Sequence, residues 1–435
     1  MTTSYVIIGA GAASMSAVET LRARDAHASI TIIGEEPHKF YSRPGLAYVL
    51  DKTIPEKQLA VRTMANLRAL HLNWIHARAT QILPQGHAIA LADGRWLQYD
   101  RALIATGSLA VPPDFPGGNF KGVVKLDNLE DVRAIEKLAQ VGRTAVVIGG
   151  GITALELVEG LRVRGMRVHY FLRGDRYWSN VLDETESRIV EERLRAEGVM
   201  IHYHTQVRQA IGKNGWVIGV ETMDGATVPC HLLAVAVGVR PRMELTRTAG
   251  LPTDRGILVD EYLQTSVPDI FAAGDVAQVF DPRSRQSVLD TLWSTALAQG
   301  CAAGANMTGA RTPYVKEVAL NVTRLAGLTT TIIGSVGGGR DEDLITIARG
   351  DSETWRIAQD AWSVADRQDV NRVRVLMNER TVVGALVMGD QTLSRPLYTL
   401  IANQTDVSPI RDAIHANPHS LGILVQQLYQ QQTPA

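Results

Sequence analysis

The stretch VIIGAGAAS, residues 6–14, places two glycines one residue apart directly after a β-branched run. Gly9 can form a tight turn, Gly11 lets the backbone approach a pyrophosphate, and the small Ser14 allows the next helix to pack closely on the strand. The anion would lie at the helix N-terminus, against the backbone N–H groups there. The stretch therefore predicts a strand, a turn and a helix that bind a dinucleotide.

The next predicted strand adds an acid to this site. ASITIIGEE, residues 28–36, ends at Glu35 and Glu36, about 20 residues after the turn, which is the spacing at which an acid holds the ribose hydroxyls of a dinucleotide. A glycine turn without a ligand is the alternative. We predict a cofactor site that includes both acids and also Ala12 and Ala13 at the start of the helix.

The same pattern occurs a second time. VVIGGGITA, residues 146–154, gives Gly149, Gly151 and Ala154 the roles of Gly9, Gly11 and Ser14. Two such turns in one chain predict two nucleotides, one of them bound tightly and the other exchanging.

The strand after the second turn ends at Leu172 and not at an acid. A leucine cannot accept the ribose hydroxyls of NADH, whereas Arg173 and Arg176 are placed where a 2′-phosphate could be held. This pattern favours NADPH. Two alternatives remain open: Asp175 is close enough to replace the missing acid, and the arginines are simply solvated.

Composition limits the classes of protein to consider. A chain of 435 residues is expected to form two or three domains, and 44 basic against 45 acidic residues predict no general attraction to nucleic acid or to an anionic membrane. The first strand begins within a few residues of Met1 and no apolar run is long enough to span a bilayer, so the cytoplasm is the expected location. The two cysteines, Cys230 and Cys301, form no CxxC pair, which argues against a disulfide scaffold, a metal or iron–sulfur site and a dithiol relay.

Four later stretches complete a recognisable order: YDRALIATGS at 99–108, LLAVAVGVRPRMEL at 232–245, TSVPDIFAAGDVA at 265–277 and LDTLWSTALAQGCAAGANMTG at 289–309. Together with the two turns, they resemble the flavoproteins with two dinucleotide-binding domains, the pyridine nucleotide-disulfide oxidoreductase superfamily. The resemblance implies FAD at the first turn and NADH or NADPH at the second. The residues that it adds to the FAD site are Thr106, Gly107, Asp275 and Val276, and it adds Gly238 to the nicotinamide nucleotide site.

The segment EEPHKFYSRPGLAYVL, residues 35–50, indicates the branch of that superfamily. Ser42, Arg43 and Pro44 stand where disulfide-free members carry a similar YxRPxL segment, as in rubredoxin and ferredoxin reductases and the flavin part of NADH-dependent nitrite reductases. The resemblance implies that Arg43 touches FAD. The lysine that ferredoxin reductases keep shortly afterwards is absent, since the next one is Lys52.

Two more residues follow from the resemblance. Trp293 matches the aromatic residue that covers the flavin ring in ferredoxin reductases, and its alternative is a place in the core. Glu156 matches the acidic residue near flavin and nicotinamide, and its alternative is an ordinary helix surface. No side chain is needed as an acid or base in hydride transfer.

We expect an α/β fold with two Rossmann-like domains and a small α+β C-terminal interface domain. The resemblance extends to that last domain, where VVGALVMGD at 382–390 is its clearest mark. The predicted divisions are 1–110 (FAD), 111–244 (NAD(P)), 245–312 (FAD) and 313–435 (interface), the last being a small sheet with a helix pair at its edge and a Gln-rich tail.

The expected activity is electron transfer from NAD(P)H through FAD to a small redox protein. The alternatives are a flavoprotein subunit of a larger redox complex, an oxidase or quinone reductase, and a non-catalytic FAD-binding structural or sensing subunit. A homodimer and a hetero-oligomer are both left open.

Overall fold

The computed structural model describes residues 2–281, 285–337, 349–356, 361–368 and 371–432. The chain divides into two compact units. The first consists of Met1–Val111, Asp127–Leu129 and Val239–Lys316, and the second of Pro112–Leu126, Glu130–Gly238 and Glu317–Ala435.

A five-stranded parallel sheet forms the centre of the first unit. Its order is Ile270–Ala272, Arg101–Ile104, Ser4–Ile8, Ser29–Gly34 and Asn73–His76. The apolar residues of these strands are almost all buried, as expected for a parallel sheet that is covered on both faces. Because the strands are parallel, their carboxyl ends share one edge, and the first glycine turn lies there.

Smaller sheets and helices complete the first unit. The antiparallel strands are Ala79–Leu83, Ala88–Leu91 and Trp96–Gln98 in one sheet, and Ser108–Ala110 with Val239–Pro241 in another. Ile257–Val259, Ala277–Asp281 and Gln286–Leu289 form a mixed third sheet. The α-helices are Ala12–Arg24, Gly45–Leu50, Met64–Ala69, Thr246–Ala249 and Trp293–Met307, and the 3₁₀ turns are Glu56–Leu59 and Pro84–Gly86.

Two of these helices are in backbone contact. A Cβ on Gly300 would lie 2.1 Å from the carbonyl oxygen of Ala13, and one on Gly304 would lie 2.6 Å from that of Ala17. The Ser16 hydroxyl donates a hydrogen bond of 2.7 Å to a carbonyl of the facing helix. The glycines of Trp293–Met307 thus allow this helix to pack closely on the helix of the first glycine turn.

A second five-stranded parallel sheet forms the α/β part of the second unit. Its order is Met200–His202, Arg167–Phe171, Thr144–Ile148, Leu232–Val235 and Val123–Val124. Leu129–Leu138, Ile152–Val163 and Glu184–Ala196 are its helices, and Val207–Lys213, Trp216–Thr222 and Thr227–Pro229 form an antiparallel sheet. The second glycine turn follows the central strand.

The C-terminal part of this unit is an antiparallel sheet with helices. The strand order is Leu320–Leu325, Leu328–Gly334, Val382–Met388, Asn371–Met377 and Trp362–Gln368, and two 3₁₀ turns are Glu353–Arg356 and Pro418–Ser420. The sequence predicted a helix pair at the edge. Among the described residues, the helices Ser394–Ala402 and Ser408–Ala416 correspond to that pair, and a third helix, Leu421–Gln432, follows them; all three share a core with the sheet. The Gln-rich segment is helical because Leu421, Val425 and Leu428 are buried against that core.

Buried ion pairs join the C-terminal sheet to the helix Glu184–Ala196 of the α/β part within this unit. Arg374 donates to Glu186 at 2.8 Å and to the carbonyl of Val181 at 2.7 Å, and Arg372 pairs with Asp183. Glu186 is 0% exposed and both arginines are 6% exposed. The predicted segments 111–244 and 313–435 therefore lie mainly in one compact unit.

The described helices include none with the length and apolar character that a bilayer span requires.

Candidate cofactor sites

The first glycine turn requires glycine at its first position. Gly9 has φ 116°, and a Cβ there would lie 2.1 Å from the carbonyl oxygen of Ala105. Gly11 is the N-cap of Ala12–Arg24 and no side chain caps the helix. A Cβ on Gly11 would meet nothing within 4 Å. The turn thus presents a helix N-terminus with open space beside Gly11.

The first turn of this helix also holds a buried hydroxyl without a partner. Ser14 is 0% exposed, and its Oγ makes no hydrogen bond in the structure as described. The predicted close packing of Ser14 agrees with this burial. Free N–H groups, open space and an unpaired hydroxyl suit the phosphate oxygens of a dinucleotide.

Glu35 and Glu36 follow the strand Ser29–Gly34 and have different partners. Glu35 pairs with Arg242, whose Nη1 lies 2.9 Å from its Oε2. Glu36 accepts a hydrogen bond of 2.6 Å from the Tyr41 hydroxyl and forms an ion pair with Arg43. The structure thus presents Glu35 at the strand end, half-exposed, and engages Glu36 in a local cluster.

Arg43 is held firmly within that cluster. Its Nη1 donates to the carbonyl oxygen of Asp127 at 2.7 Å, and its guanidinium lies 5.4 Å from the centre of the Tyr41 ring. Burial raises the pKa of the Tyr41 hydroxyl well above its usual range, so Tyr41 donates to Glu36 at neutral pH. Arg43 as an FAD contact stays a prediction.

The later FAD segments meet beside the parallel sheet. Gly107 has φ 69°, Gly274 has φ 78°, and Asp275 follows the strand Ile270–Ala272. Ser108 donates a hydrogen bond of 2.6 Å to Asp275. Val276 is fully buried, so its side chain belongs to the core and only its backbone can face a ligand.

Trp293 is the first residue of the helix that follows. Its ring stacks on Phe40 with centroids 5.8 Å apart and an angle of 17° between the planes. Trp293 is partly buried, and Leu292 at the N-cap supplies no side-chain hydrogen bond. The position fits an aromatic wall at an open helix N-terminus, and its role against a flavin stays a prediction.

The second turn repeats the geometry of the first. Gly149 has φ 141°, and a Cβ there would lie 2.1 Å from the carbonyl oxygen of Ala236. Gly151 is the N-cap of Ile152–Val163, again without a side-chain cap, and Ala154 is fully buried. Gly238, with φ 111°, is the last residue of the segment Glu130–Gly238 of the second unit. This turn can accept a second dinucleotide phosphate in the same way.

The strand that follows the second glycine turn and its helix, Arg167–Phe171, does not end at a carboxylate. Leu172 is buried and follows Arg167–Phe171, Arg173 is exposed, and Asp175 forms an ion pair of 3.2 Å with Arg176. Arg176 is therefore partly neutralised by its neighbour.

Glu156 is half-buried on the helix after the second turn, one helical turn before Glu159. Burial raises the pKa of Glu159 to about 7, and the nearby Glu156 adds to that increase. Glu159 accepts a hydrogen bond of 3.1 Å from the backbone N–H of Gly327. Two carboxyl groups thus lie close together on the helix behind the second turn, and the protonated form of Glu159 is favoured.

Several residues of these sites were not found by sequence reasoning. Arg242 lies in the stretch LLAVAVGVRPRMEL, from which the sequence assigned only Gly238 to a site, and Ser108 directly follows Gly107. No sequence motif marks an arginine or a serine at these positions, so only the contacts with Glu35 and Asp275 in the folded structure reveal them. Glu159 was missed because a glutamate on an amphipathic helix normally faces solvent.

Two parallel sheets, each with a glycine turn at its carboxyl edge and an uncapped helix N-terminus behind it, define a protein with two dinucleotide-binding domains. Residues 3–300 match the family described as pyridine nucleotide-disulphide oxidoreductase, and the chain belongs to this family. Its cofactors are accordingly FAD and NADH or NADPH, and both turns described above fit such groups.

Curated relatives include a ferredoxin–NAD(+) reductase component of a biphenyl dioxygenase system from Paraburkholderia xenovorans, 31% identical over 81% of this chain and 85% of the relative. A nitrite reductase [NAD(P)H] of Bacillus subtilis is 26% identical over 93% of this chain, but the chain spans only 48% of that protein. The epsilon subunit of an NADH-dependent phenylglyoxylate dehydrogenase from Aromatoleum evansii is 26% identical over 97% of this chain and 96% of the relative.

Solved structures show the same fold. The chain matched in the covalent complex of putidaredoxin reductase with putidaredoxin has a TM-score of 0.86 at 23% identity, with 98% of this chain and 99% of that chain covered. A ferredoxin reductase from Rhodopseudomonas palustris has a TM-score of 0.84 at 24% identity over 94% of this chain and 96% of that chain.

Proposed function

We propose that this chain is an FAD-dependent NAD(P)H oxidoreductase that delivers electrons to a small redox protein of the ferredoxin or rubredoxin type. The observation that carries the proposal is the repeated geometry of Gly9 and Gly149, each with a positive φ and each with a carbonyl oxygen 2.1 Å from the place of a Cβ. Two such turns suit one tightly bound and one exchanging dinucleotide.

The residues around the first turn would hold FAD. The N–H groups of Ala12–Arg24 would bind the diphosphate, Glu35 the adenosine ribose and Asp275 the ribitol hydroxyls. When bound, FAD accepts hydride from a reduced nicotinamide and releases electrons singly. The chain's own contribution is to bind and orient: the helix Trp293–Met307 offers the positive end of its dipole, and Trp293 a flat apolar wall.

The residues around the second turn would hold the nicotinamide nucleotide. The N-terminus of Ile152–Val163 would bind its diphosphate, and Gly238 would leave space for the backbone to approach. We assign Glu156 to the nicotinamide end of this site. Leu172 and Arg173 support NADPH as the coenzyme, whereas the names of the relatives refer to NAD(+), NADH or NAD(P)H.

No sulfur relay is available between the cofactors and the acceptor. The two cysteines belong to different units, and burial raises the pKa of the Cys230 thiol to about 12. Cys301 lies alone on the helix Trp293–Met307. Electrons would therefore leave the flavin without a thiol intermediate.

The test is turnover of the purified protein with several acceptors. NADPH or NADH would be supplied with rubredoxin, a [2Fe–2S] ferredoxin, a soluble quinone or oxygen alone, and the acceptor's absorbance would be followed. We expect reduction of one of the two iron proteins to exceed oxygen and quinone reduction by at least about tenfold. Equal rates with oxygen alone would contradict the proposal and indicate an oxidase.

A second candidate is a flavoprotein subunit of a larger redox complex. The observation that favours it is the end-to-end match to the phenylglyoxylate dehydrogenase epsilon subunit, which covers 96% of that relative. In that case the flavin would be bleached by coenzyme but neither free iron protein would be reduced. A flavin that no coenzyme bleaches would instead indicate a non-catalytic structural or sensing subunit.

A further inference from the structure

We propose that Arg242 is a positioning residue for FAD, which holds the Glu35 carboxylate for the adenosine ribose and offsets its charge next to the diphosphate. The inference rests on the cofactor assignment above and extends it to a residue outside the predicted site. Arg242 and Glu35 are 207 residues apart in sequence, and their side chains meet at 2.9 Å.

The backbone on both sides of this contact is fixed. The N–H of Arg242 donates to the carbonyl of Gly107 at 2.9 Å, and the Thr106 hydroxyl donates to the carbonyl of Arg242 at 2.9 Å. On the other side, the carbonyl of Glu35 lies 2.9 Å from Nε2 of His76. The pair thus joins two rigid supports and differs from a typical surface ion pair, which is worth little because both side chains must be ordered.

The contact leaves part of each side chain available. Arg242 uses Nη1 on Oε2 of Glu35, while its Nε is buried and has no partner among the described residues. The side chains of Arg242 and Glu35 are 31% and 50% exposed, so a ligand can reach the pair. A carboxylate with one oxygen already fixed presents the other in a defined direction, and this preorganisation lowers the entropy lost on binding.

Charge supports the same conclusion. A lone carboxylate beside the diphosphate of FAD would be repelled by it, and a guanidinium at 2.9 Å from that carboxylate offsets the repulsion. Asp275 at the other end of the predicted site is held by Ser108. Ser108 pairs with Pro241, the residue before Arg242, in the two-stranded sheet. This one strand pair therefore positions Asp275 through Ser108 and Glu35 through Arg242.

The test compares flavin release from the full-length holoprotein and from the variants R242A, R242K and E35Q. The matched control is R240A, at an exposed arginine of the strand Val239–Pro241, which directly precedes Arg242. Release of FAD would be followed by the rise in its fluorescence after dilution. We expect R242A to release FAD roughly tenfold faster than wild type, R242K to fall between them, and R240A to behave as wild type.

Two further measurements separate positioning from a structural role. The double variant E35Q/R242A should release FAD no faster than E35Q alone, since Arg242 acts through Glu35. Wild type and R242A reconstituted with FMN, which lacks adenosine, should release it at the same rate. FAD release by R242A at the wild-type rate, additive effects in the double variant, or equally faster FMN release would each overturn the proposal. A wild-type protein that holds no flavin would overturn the cofactor assignment together with it.

Discussion

Ser108 donates a hydrogen bond of 2.6 Å to Asp275, across 167 residues of sequence. Ser108 also pairs with Pro241, directly before the Arg242 that contacts Glu35, so Asp275 and Glu35 of the proposed FAD site both depend on this one strand pair. The relationship makes the flavin site sensitive to small changes at Ser108.

We expect Ser108→Ala to weaken flavin retention several-fold, because Asp275 loses a charge-assisted partner that fixes its orientation. Asp275→Asn should have a larger effect, since it removes the carboxylate charge and replaces one of the two acceptor oxygens with an NH2 donor. The flavin-to-protein absorbance ratio after gel filtration measures both. Ser266→Ala, at an exposed serine of the same unit, is the control. Unchanged retention in both S108A and D275N would contradict the ribitol role of Asp275.

Substitutions in the two glycine turns should impair two different functions, flavin binding and reduction by coenzyme. Gly9→Ala places a Cβ 2.1 Å from the Ala105 carbonyl at a φ that alanine rarely adopts, so this variant should lose flavin. Gly149→Ala makes the same clash with Ala236, so it should keep flavin and lose reduction by coenzyme. Gly86→Ala, where a Cβ meets nothing within 4 Å, serves as control. A G149A protein whose flavin is still reduced at the wild-type rate would refute the two-site assignment.

Coenzyme choice is expected to depend on Arg173. Arg173→Ala should raise the KM for NADPH by about tenfold and leave that for NADH nearly unchanged, because only NADPH carries a 2′-phosphate. Arg167→Ala, at the exposed start of the strand Arg167–Phe171 that precedes Arg173, should change neither value. Initial rates with each coenzyme provide the measurement. Equal loss with both coenzymes would show that Arg173 does not select the phosphate.

Arg374→Met should destabilise the second unit by about 3–5 kcal/mol, because Glu186 stays fully buried with its main partner removed. Denaturant unfolding measures the change. The comparison is Arg380→Ala, which breaks an exposed pair with side chains 77% and 50% exposed and should cost less than about 1 kcal/mol. Similar costs for the two variants would contradict the importance of the buried pair.

Glu159 should make stability depend on pH. Burial raises its pKa to about 7 from an ordinary 4.5, so the unfolded chain ionises first as pH rises and the folded state is increasingly penalised between these values. Glu159→Gln should therefore gain stability over wild type at pH 8, on the order of 1 kcal/mol, and not at pH 4.5.

The measurement is the unfolding midpoint at both pH values, with Glu192→Gln, an exposed glutamate on the helix Glu184–Ala196, as control. A gain of equal size at both pH values would show that titration of Glu159 is not the cause. Arg324 and the Gly327 N–H act in the opposite direction by lowering the pKa of Glu159, and Glu197 adds to the increase.

Local patterns predicted the parts of the fold that depend on local structure. The spacing of Gly9 and Gly11 after a buried strand was enough to predict a strand, a turn and a helix, because a positive φ and an open helix N-terminus are properties of a few adjacent residues. The same reasoning worked for Gly149 and Gly151. The resemblance to a known family then supplied the cofactors.

Contacts between distant segments could not be predicted in this way. Arg374 meets Glu186 across 188 residues, and Arg242 meets Glu35 across 207. In sequence, each arginine is an ordinary charged residue, Arg374 within a strand and Arg242 directly after one, and its partner is determined by the packing of whole elements. The helix Leu421–Gln432 could not be predicted for a related reason: its glutamine-rich composition left the structure of the tail open, and the burial of three apolar residues is what anchors it.

An anaerobic absorbance titration of the purified protein, first with NADPH and then with NADH, would test both cofactor sites at once. We expect a flavin band that a stoichiometric amount of coenzyme bleaches, faster with NADPH. A protein without a flavin band, or a band that neither coenzyme bleaches, would contradict the claim that the two glycine turns hold FAD and its hydride donor.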